Sequence, residues 1–215
     1  ELRISGGGND RIQVTDDGAG MDAEDLSRCH LSHATSKITT DRDLQAVQTL
    51  GFRGEALSAV AHVSKLEIRS RTAESDGNRL IVHAGKQVAL EPFATRPGTT
   101  VTVDELFYDL PARKRFLKRA QSESAAIRTV FLDKALPFPQ TTFRLFSEEQ
   151  LKLHLPATDQ LERIALAYPA YVRPGRLDQL AAERDTFRVR LFAGDPADAR
   201  GDRRALQVFV NKRRV

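Results

Sequence analysis

The residues with the clearest chemical potential lie in the stretch Thr15-Asp16-Asp17-Gly18-Ala19-Gly20-Met21. The residues before it alternate between polar and apolar, which predicts a β-strand carrying Ile12, Val14 and Asp16 on one face. A carboxylate on a buried face is costly unless a donor reaches it. The Gly-x-Gly turn and the helix start at Asp22 that follow are typical either of a ligand site or of a tight turn with an N-capping aspartate.

Two further segments combine groups that suit phosphate. In Gly51-Phe52-Arg53-Gly54-Glu55-Ala56-Leu57 a glycine-rich turn leads directly into a helix, and His33-Ala34-Thr35-Ser36-Lys37 places hydroxyls and a cation in one irregular stretch. The glycine spacing is neither that of a Walker loop nor that of a dinucleotide fingerprint. A plain helix–helix turn and a solvated loop therefore remain the alternatives for these two segments.

Thr99 has a geometric reason to be singled out. In the predicted strand Gly98–Val103 its parity matches that of Val101 and Val103, which places its hydroxyl on the inner face. A carboxylate at Asp16 and a hydroxyl at Thr99 would together read a polar edge such as an amino group and a ring nitrogen. The alternative is an ordinary β-branched strand residue.

The positive charge of the chain is concentrated. The formal net charge is +4, yet the basic segment 113–119 carries five cations without an acid, namely Arg113, Lys114, Arg115, Lys118 and Arg119. Lys212, Arg213 and Arg214 add further positive charge. Such clusters favour a polyanion partner such as nucleic acid, although cations at helix ends can also simply complement the helix dipole.

The remaining pattern predicts alternating helices and strands. A hairpin is predicted from a strand through Leu2 and Ile4 and a strand at 11–14. It is followed by a helix from Asp22 to about Leu31, a second helix at 43–50 and a third helix through Leu57, Val60 and Ala61. Strands are predicted at Leu66/Ile68, Leu80/Val82, Val88/Leu90, Val101/Val103, 142–146 and 151–155, with a helix capped by Ser122 and stopped by Pro137. After a boundary at Pro156-Ala157, we expect a helix capped by Thr158 and strands at 187–192 and 206–210.

Composition limits the classes of protein. The 215 residues allow one large or two modest domains. The chain has no apolar run long enough for a membrane span and no visible signal peptide. Its single cysteine, Cys29, suits a reducing compartment and is expected to be a buried structural thiol. We therefore predict a cytoplasmic protein without a membrane partner.

The order of these motifs resembles that of the GHKL superfamily, which includes type II topoisomerase subunits, heat-shock chaperones, sensor histidine kinases and MutL proteins. The intervening strings are similar to the MutL family of mismatch-repair proteins: His33-Ala-Thr-Ser-Lys-Ile38, Thr49-Leu-Gly-Phe-Arg-Gly-Glu-Ala-Leu57, Leu106-Phe-Tyr-Asp-Leu-Pro-Ala-Arg-Lys-Arg-Phe-Leu117 and Phe209-Val-Asn-Lys-Arg213. The resemblance covers almost the whole chain.

The resemblance implies an α/β fold: a two-layer sandwich of the GHKL (Bergerat) type with a mixed sheet at 1–156, followed by part of an S5-like α/β domain at 157–215. It also implies binding of ATP. Asp16 would accept from the adenine amino group with support from Thr99 through water, and Gly18 and Gly20 would let the backbone approach the base and ribose. The implied nucleotide-binding residues are Asp16, Gly18, Gly20, Met21, Thr35, Ser36, Lys37, Leu50, Gly51, Phe52, Arg53, Gly54, Glu55 and Thr99, those at 35–37 and 50–55 forming a lid over the phosphates.

The departures from the family are equally specific. The family's first motif, a helix reading Glu-Leu-x-x-Asn-Ser-x-Asp-Ala, supplies the general-base Glu and an Asn that holds Mg²⁺, and both are expected upstream of Glu1. We therefore expect this chain to be a fragment that has the base pocket and lid but no catalytic residue and no metal ligand, and that is inactive alone.

The same resemblance implies partners for the parent protein: DNA, bound at the basic segment with little sequence preference, a mismatch-recognition protein, other repair factors and a second copy in a homodimer. Two alternatives remain. One is another GHKL-type ATPase, a kinase or topoisomerase subunit, against which Phe107–Leu117 argues. The other is a non-enzymatic DNA-binding module that rests on the cationic clusters alone.

Overall fold

The computed structural model describes residues 1–32, 55–172, 175–198, 201 and 206–215. Alternating side chains, turn glycines and polar caps account for most of its helices and strands. The strands are β1 (Leu2–Ser5), β2 (Arg11–Asp16), β3 (Lys65–Arg71), β4 (Asn78–His83), β5 (Lys86–Pro92), β6 (Gly98–Asp104), β7 (Phe143–Ser147), β8 (Gln150–Leu155), β9 (Leu177–Arg184), β10 (Phe187–Gly194), β11 (Phe209–Val210) and β12 (Arg213–Arg214). The helices are α1 (Ala23–Arg28), α2 (Ala56–Ala61), α3 (Pro111–Lys114), α4 (Ala120–Ala135) and α5 (Gln160–Ala167), with short 3-10 helices at Gly6–Gly8 and Pro196–Asp198.

The described chain forms two compact units. The first comprises Glu1–Arg128 and Arg144–Lys152, and the second comprises Thr129–Phe143 and Leu153–Val215. None of the described helices has the length and apolar character that a membrane crossing requires. The predicted division of the chain at 156/157 remains a prediction.

The main sheet has eight strands in the order β5-β4-β3-β6-β2-β1-β7-β8. The neighbours from β5 to β1 are antiparallel, whereas β1 and β7 are parallel. The sheet is therefore mixed, and the predicted α/β class is confirmed. The remaining described strands form the two-stranded sheets β9-β10 and β11-β12.

One face of the main sheet carries the core of the first unit. In β3 every second residue is buried, so Leu66 and Ile68 point the same way, and they pair with Val82 and Leu80 of β4. Leu26 of α1 and Ala61 of α2 pack against these side chains and are fully buried. Burying a large aliphatic side chain contributes about 1.5–3 kcal/mol, so this contact fixes both helices against the strands.

A buried arginine organises the second unit. The guanidinium of Arg163 in α5 donates to four backbone carbonyls, those of Ala135, Pro139, Thr141 and Pro156, at 2.7 to 3.1 Å. It also lies 5.5 Å from the centroid of the Phe143 ring. Burial lowers the pKa of Arg163, and the carbonyl dipoles compensate for the lost hydration. One side chain thus connects the end of α4 with the segment that precedes β7 and the segment that follows β8.

Several predicted element boundaries need correction. Helix α4 begins at Ala120, so Ser122 lies inside the helix and does not cap it. The cap of α5 is Asp159, which accepts from Glu162 N at 2.9 Å, and not Thr158. The predicted helix from Asp22 ends at Arg28, and the predicted strand at 206–210 is reduced to Phe209–Val210. Strand β9 was not predicted, and the predicted helix at 43–50 lies outside the described residues.

Candidate functional site

A polar row replaces the apolar rows at one end of the main sheet. On the core face, Val14, Val101 and Ile68 lie in register across β2, β6 and β3, and the next row on that face consists of Asp16, Thr99 and Ser70. Ser70 is fully buried, Thr99 is half-buried and Asp16 is exposed. The sheet therefore presents a carboxylate and two hydroxyls side by side where it leaves the core.

The environment of Asp16 differs from the prediction. Asp16 lies on the same face as Ile12 and Val14, as expected, but Val14 is 46% exposed and the carboxylate itself is exposed. The expectation of a buried carboxylate was wrong, because the core helices α1 and α2 cover β3 and β4 and not this end of β2. Asp16 Oδ1 accepts from Gly18 N at 3.0 Å. Among the described residues no other donor reaches this carboxylate, so Oδ2 is available to a ligand.

Two glycines allow the backbone to close around this row. Gly20 has φ +72°, and a Cβ there would lie 1.9 Å from the carbonyl oxygen of Arg71. Gly98 has φ +112°, and a Cβ there would lie 2.2 Å from the carbonyl oxygen of Asp16. Both positions demand glycine for contacts within the chain. At Gly18 an added Cβ would lie 2.9 Å from Asp16 Oδ1.

Ser70 is the residue of this row that the sequence prediction missed. Its Oγ lies 2.9 Å from Thr99 Oγ1, accepts from Met21 N at 2.8 Å and donates to Gly98 O at 3.1 Å. Strand parity could have identified Ser70 from the sequence. Ser70 lies on the same face of its strand as Leu66 and Ile68, just as Thr99 lies on the same face as Val101 and Val103. A lone hydroxyl that continues an apolar face at a strand end is therefore as informative as a lone carboxylate.

The turn after Gly20 joins the polar row to the helical layer. Met21 packs against the core, and Asp22 Oδ1 accepts from Asp25 N at 2.8 Å, which caps α1. The N-capping role predicted for Asp22 is confirmed. Capping and a polar row thus coexist in one strand-to-helix turn, and the two interpretations of the sequence do not exclude each other.

The predicted phosphate-binding residues fall mostly outside the described part of the chain. Thr35, Ser36, Lys37, Leu50, Gly51, Phe52, Arg53 and Gly54 all lie there, and their assignment stays a prediction. Glu55 is described: it is exposed and occupies the N-cap position of α2 without a capping hydrogen bond from its side chain. Within the described residues no group of three His, Cys, Asp or Glu side chains is arranged to hold a metal ion.

Cys29 and His30 follow α1 beside the core. Burial raises the pKa of Cys29 to about 11, so its thiol is protonated at neutral pH, as a structural thiol would be. His30 is buried, and no described residue forms a hydrogen bond with its Nδ1. Burial, and secondly the charge of His62, lowers the pKa of His30. Both effects favour the neutral form of this histidine in the folded protein.

The basic segment 113–119 spans α3 and the residues that follow it. Its five cations, Arg113, Lys114, Arg115, Lys118 and Arg119, are all exposed, and Phe116 between them is 85% exposed. An aromatic ring held in water among cations provides a stacking surface within a positive field. In the other cationic cluster, at 212–214, two side chains have partners within the second unit. Arg214 pairs with Asp133 at 2.6 Å, and Lys212 lies 5.0 Å from the centroid of the Phe138 ring.

The chain is similar over its whole length to curated mismatch-repair proteins. It is 40% identical over 218 residues to the DNA mismatch repair protein MutL of Rhizobium rhizogenes and 36% identical over 217 residues to that of Heliobacterium modesticaldum. Both alignments cover 100% of this chain, but the chain spans only 36% and 33% of the length of these relatives. No protein-family model matches the chain.

Solved structures agree with the curated relatives. The Aquifex aeolicus MutL ATPase domain in complex with ADP matches with a TM-score of 0.73 and 26% identity, and the match covers 100% of this chain and 73% of that one. The N-terminal domain of a DNA repair protein matches with a TM-score of 0.67 and 28% identity, and covers 84% of this chain and 55% of that one. The α/β fold with its mixed sheet therefore matches the fold of solved MutL ATPase domain structures.

Proposed function

Because the chain corresponds throughout to the N-terminal GHKL ATPase region of MutL-type proteins, we propose that it is the nucleotide switch of a DNA mismatch repair protein. In this proposal the intact protein binds and hydrolyses ATP. Its nucleotide state controls dimerisation and binding to DNA, to a mismatch-recognition protein and to other repair factors. The protein would act in the cytoplasm, and residues 157–215 would contribute to an S5-like domain after the ATPase domain at 1–156.

The observation that carries this proposal is the row of Asp16, Thr99 and Ser70. A free carboxylate oxygen beside a hydroxyl at the end of an apolar face suits the amino-bearing edge of a purine, since the base stacks on apolar surface while its edge meets acceptors. Gly20 and Gly98 hold the surrounding backbone close to that edge. The structural relative in complex with ADP supports a nucleotide as the ligand.

The phosphate end of the ligand is assigned by resemblance. Thr35, Ser36 and Lys37 with the turn from Leu50 to Glu55 would cover the phosphates, because hydroxyls, a cation and backbone N–H groups at a helix start all favour anions. Gly18, Gly20 and Met21 would contact the base and ribose. Glu55 would end this turn at the start of α2, with its carboxylate directed away from the phosphates, since an acid facing them would repel them.

Hydrolysis is assigned to the intact protein. Displacement at the γ-phosphate requires a positioned water and electrostatic support for the phosphoryl oxygens. In this proposal Asp16 would be occupied by the base and Glu55 would lie at the lid, while Asp17 is exposed beyond the end of β2, so none of these acids suits a general base. Mg²⁺ dependence is a prediction for the intact protein, because the Asn expected to hold the metal belongs to the family's first motif. Residues 1–215 alone are expected to bind nucleotide weakly without turnover.

DNA binding is assigned to the basic segment. Its cations would neutralise phosphates without reading sequence, because phosphate contacts carry affinity and base contacts carry specificity. Phe116 would stack on unpaired bases, to which aromatic rings bind with little sequence preference. The cations predict DNA binding that weakens as the salt concentration rises. Stacking on Phe116 predicts that single-stranded DNA binds more tightly than it would through the cations alone.

A thermal shift with and without ATP and Mg²⁺ tests the proposal. A ligand that binds only the folded state raises the unfolding midpoint, and the intact protein should respond to ATP and ADP. A protein that responds to DNA but to neither nucleotide would instead be a non-enzymatic DNA-binding module. GTP at the same concentration is the matched control for selectivity.

A further inference from the structure

Ser70 in β3 uses all of its hydrogen-bonding capacity inside the chain. A serine hydroxyl has one proton to donate and two lone pairs to accept with. Ser70 Oγ has three close partners: Met21 N at 2.8 Å, Gly98 O at 3.1 Å and Thr99 Oγ1 at 2.9 Å. The side chain is fully buried, so water does not supply an alternative partner.

The chemistry of these partners determines the direction of each hydrogen bond. Met21 N is a backbone donor, so Ser70 must accept from it, and Gly98 O is a carbonyl, so Ser70 must donate its single proton to it. The remaining contact is then satisfied only if Thr99 donates to Ser70. The opposite arrangement would leave the lone pairs of Ser70 Oγ facing Gly98 O at 3.1 Å, which is unfavourable in a buried position.

We infer that Ser70 fixes Thr99 as a hydrogen-bond acceptor toward the ligand and thereby makes the site select a 6-amino purine over a 6-oxo purine. This inference rests on the proposed nucleotide site. With its proton held by Ser70, Thr99 has only lone pairs left for the open side of the row, where Asp16 Oδ2 is also an acceptor. At the C6 substituent, two acceptors match an amino group, which has two N–H groups to donate directly or through water, and disfavour a carbonyl oxygen, which has none.

Ser70 is therefore a positioning residue that acts through Thr99, and its test is selectivity. In the intact protein, the dissociation constants of ATP and of inosine triphosphate, in which a carbonyl replaces the amino group, are measured by calorimetric titration. In Ser70→Ala the Thr99 hydroxyl is free to rotate and donate to the carbonyl. The preference for ATP should fall by about two- to tenfold, the range that one neutral hydrogen bond supports.

Two sets of variants isolate this effect from a general weakening of the site. Ser64 is a matched control, because it is also fully buried and its Oγ donates to Val60 O at 2.7 Å, away from the row. Ser64→Ala should leave the preference unchanged. Thr99→Val removes the acceptor and should lower the preference on its own, whereas Thr99→Ser should retain it. In the Thr99→Val background, Ser70→Ala should have no further effect on the ratio.

The outcomes are distinguishable. If Ser70→Ala weakens ATP and inosine triphosphate equally, or leaves the ratio unchanged, Ser70 is structural and the inference is wrong while the nucleotide site stands. If Ser70→Ala does not fold, an unchanged ratio in Thr99→Val overturns the inference in the same way. If the unmodified protein binds neither nucleotide, the proposed function fails and the inference fails with it.

Discussion

The carbonyl oxygen of Asp16 occupies the space that a side chain on Gly98 would need. An ideal Cβ on Gly98 would lie 2.2 Å from that oxygen, and Gly98 has φ +112°. Because Gly98 starts β6 and Asp16 ends β2, this contact brings the two strand ends together at the polar row. The absence of a side chain at Gly98 is thus a condition for the position of both Asp16 and Thr99.

Gly98→Ala is therefore expected to destabilise the protein. Residues held in sparsely populated φ/ψ regions cost about 1–3 kcal/mol, and the clash with Asp16 adds to this cost. The free energy of unfolding, measured by chemical denaturation, should fall by at least that amount. Gly194→Ala is the matched control, because none of the residues that the structure describes lies within 4 Å of a Cβ at Gly194. Equal stability of the two variants would contradict the described contact.

His30 is expected to make stability depend on pH. Burial lowers its pKa from the ordinary value of 6.5 in the folded state, so below about that pH the unfolded chain binds more protons than the folded protein. Stability should be fully present above pH 6.5 and should fall as the pH decreases, by at most about 1.4 kcal/mol per pH unit for one group.

Replacing the histidine tests this pH dependence. Denaturation of His30→Gln at pH values from about 5 to 7.5 should give a shallower decline than the unmodified protein. His154→Gln, which changes an exposed histidine on β8, should leave the decline as it was. An identical slope in His30→Gln and the unmodified protein would show that His30 does not carry the effect.

Charge reversal tests the basic segment. Arg115→Glu with Lys118→Glu should weaken DNA binding at low salt and reduce the slope of log affinity against log salt by about 0.9 for each lost duplex phosphate contact. Lys86→Glu with Arg96→Glu changes the net charge equally at exposed positions outside the segment and should have a smaller effect. Equal effects of the two double variants would mean that only net charge matters.

The exposed ring of Phe116 predicts a different kind of effect. Stacking of a base on an aromatic side chain is worth about 1–3 kcal/mol, so Phe116→Ala should weaken binding to single-stranded DNA more than binding to duplex DNA. The salt dependence should remain, because no charge is lost. Val88→Ala removes another exposed apolar side chain and is the control. An equal loss on both forms of DNA would exclude stacking.

The sequence was sufficient for the parts of the site that depend on strand parity. Alternation predicted that Asp16 and Thr99 end two apolar faces, and the structure pairs them across β2 and β6. Ser70 follows the same rule on β3, where it pairs with Thr99, although the sequence prediction did not include it. The burial of Asp16 was mispredicted, since parity assigns a face but not the extent to which other elements cover it.

Strand β9 shows why other elements could not be predicted. Its residues, Leu-Asp-Gln-Leu-Ala-Ala-Glu-Arg, are mostly good helix formers, and the strand exists through its pairing with β10 along its whole length. The cap of α5 was misassigned by one residue for a similar reason. Thr158 and Asp159 are both competent caps, and the sequence does not determine which of them takes the helix-start conformation.

Recognition of an adenine nucleotide by Asp16 can be measured by calorimetric titration of ATP into the intact protein and into its Asp16→Asn variant. Asp16 Oδ1 accepts from Gly18 N, so an asparagine would keep its oxygen there and present its amide NH₂ to the amino group of the base. A donor would then face a donor, and the loss of a charge-assisted bond alone costs about 1.5–3 kcal/mol. We predict that ATP binding is abolished while the unfolding midpoint without nucleotide is unchanged. Unchanged ATP affinity in the folded variant would show that Asp16 does not recognise the base.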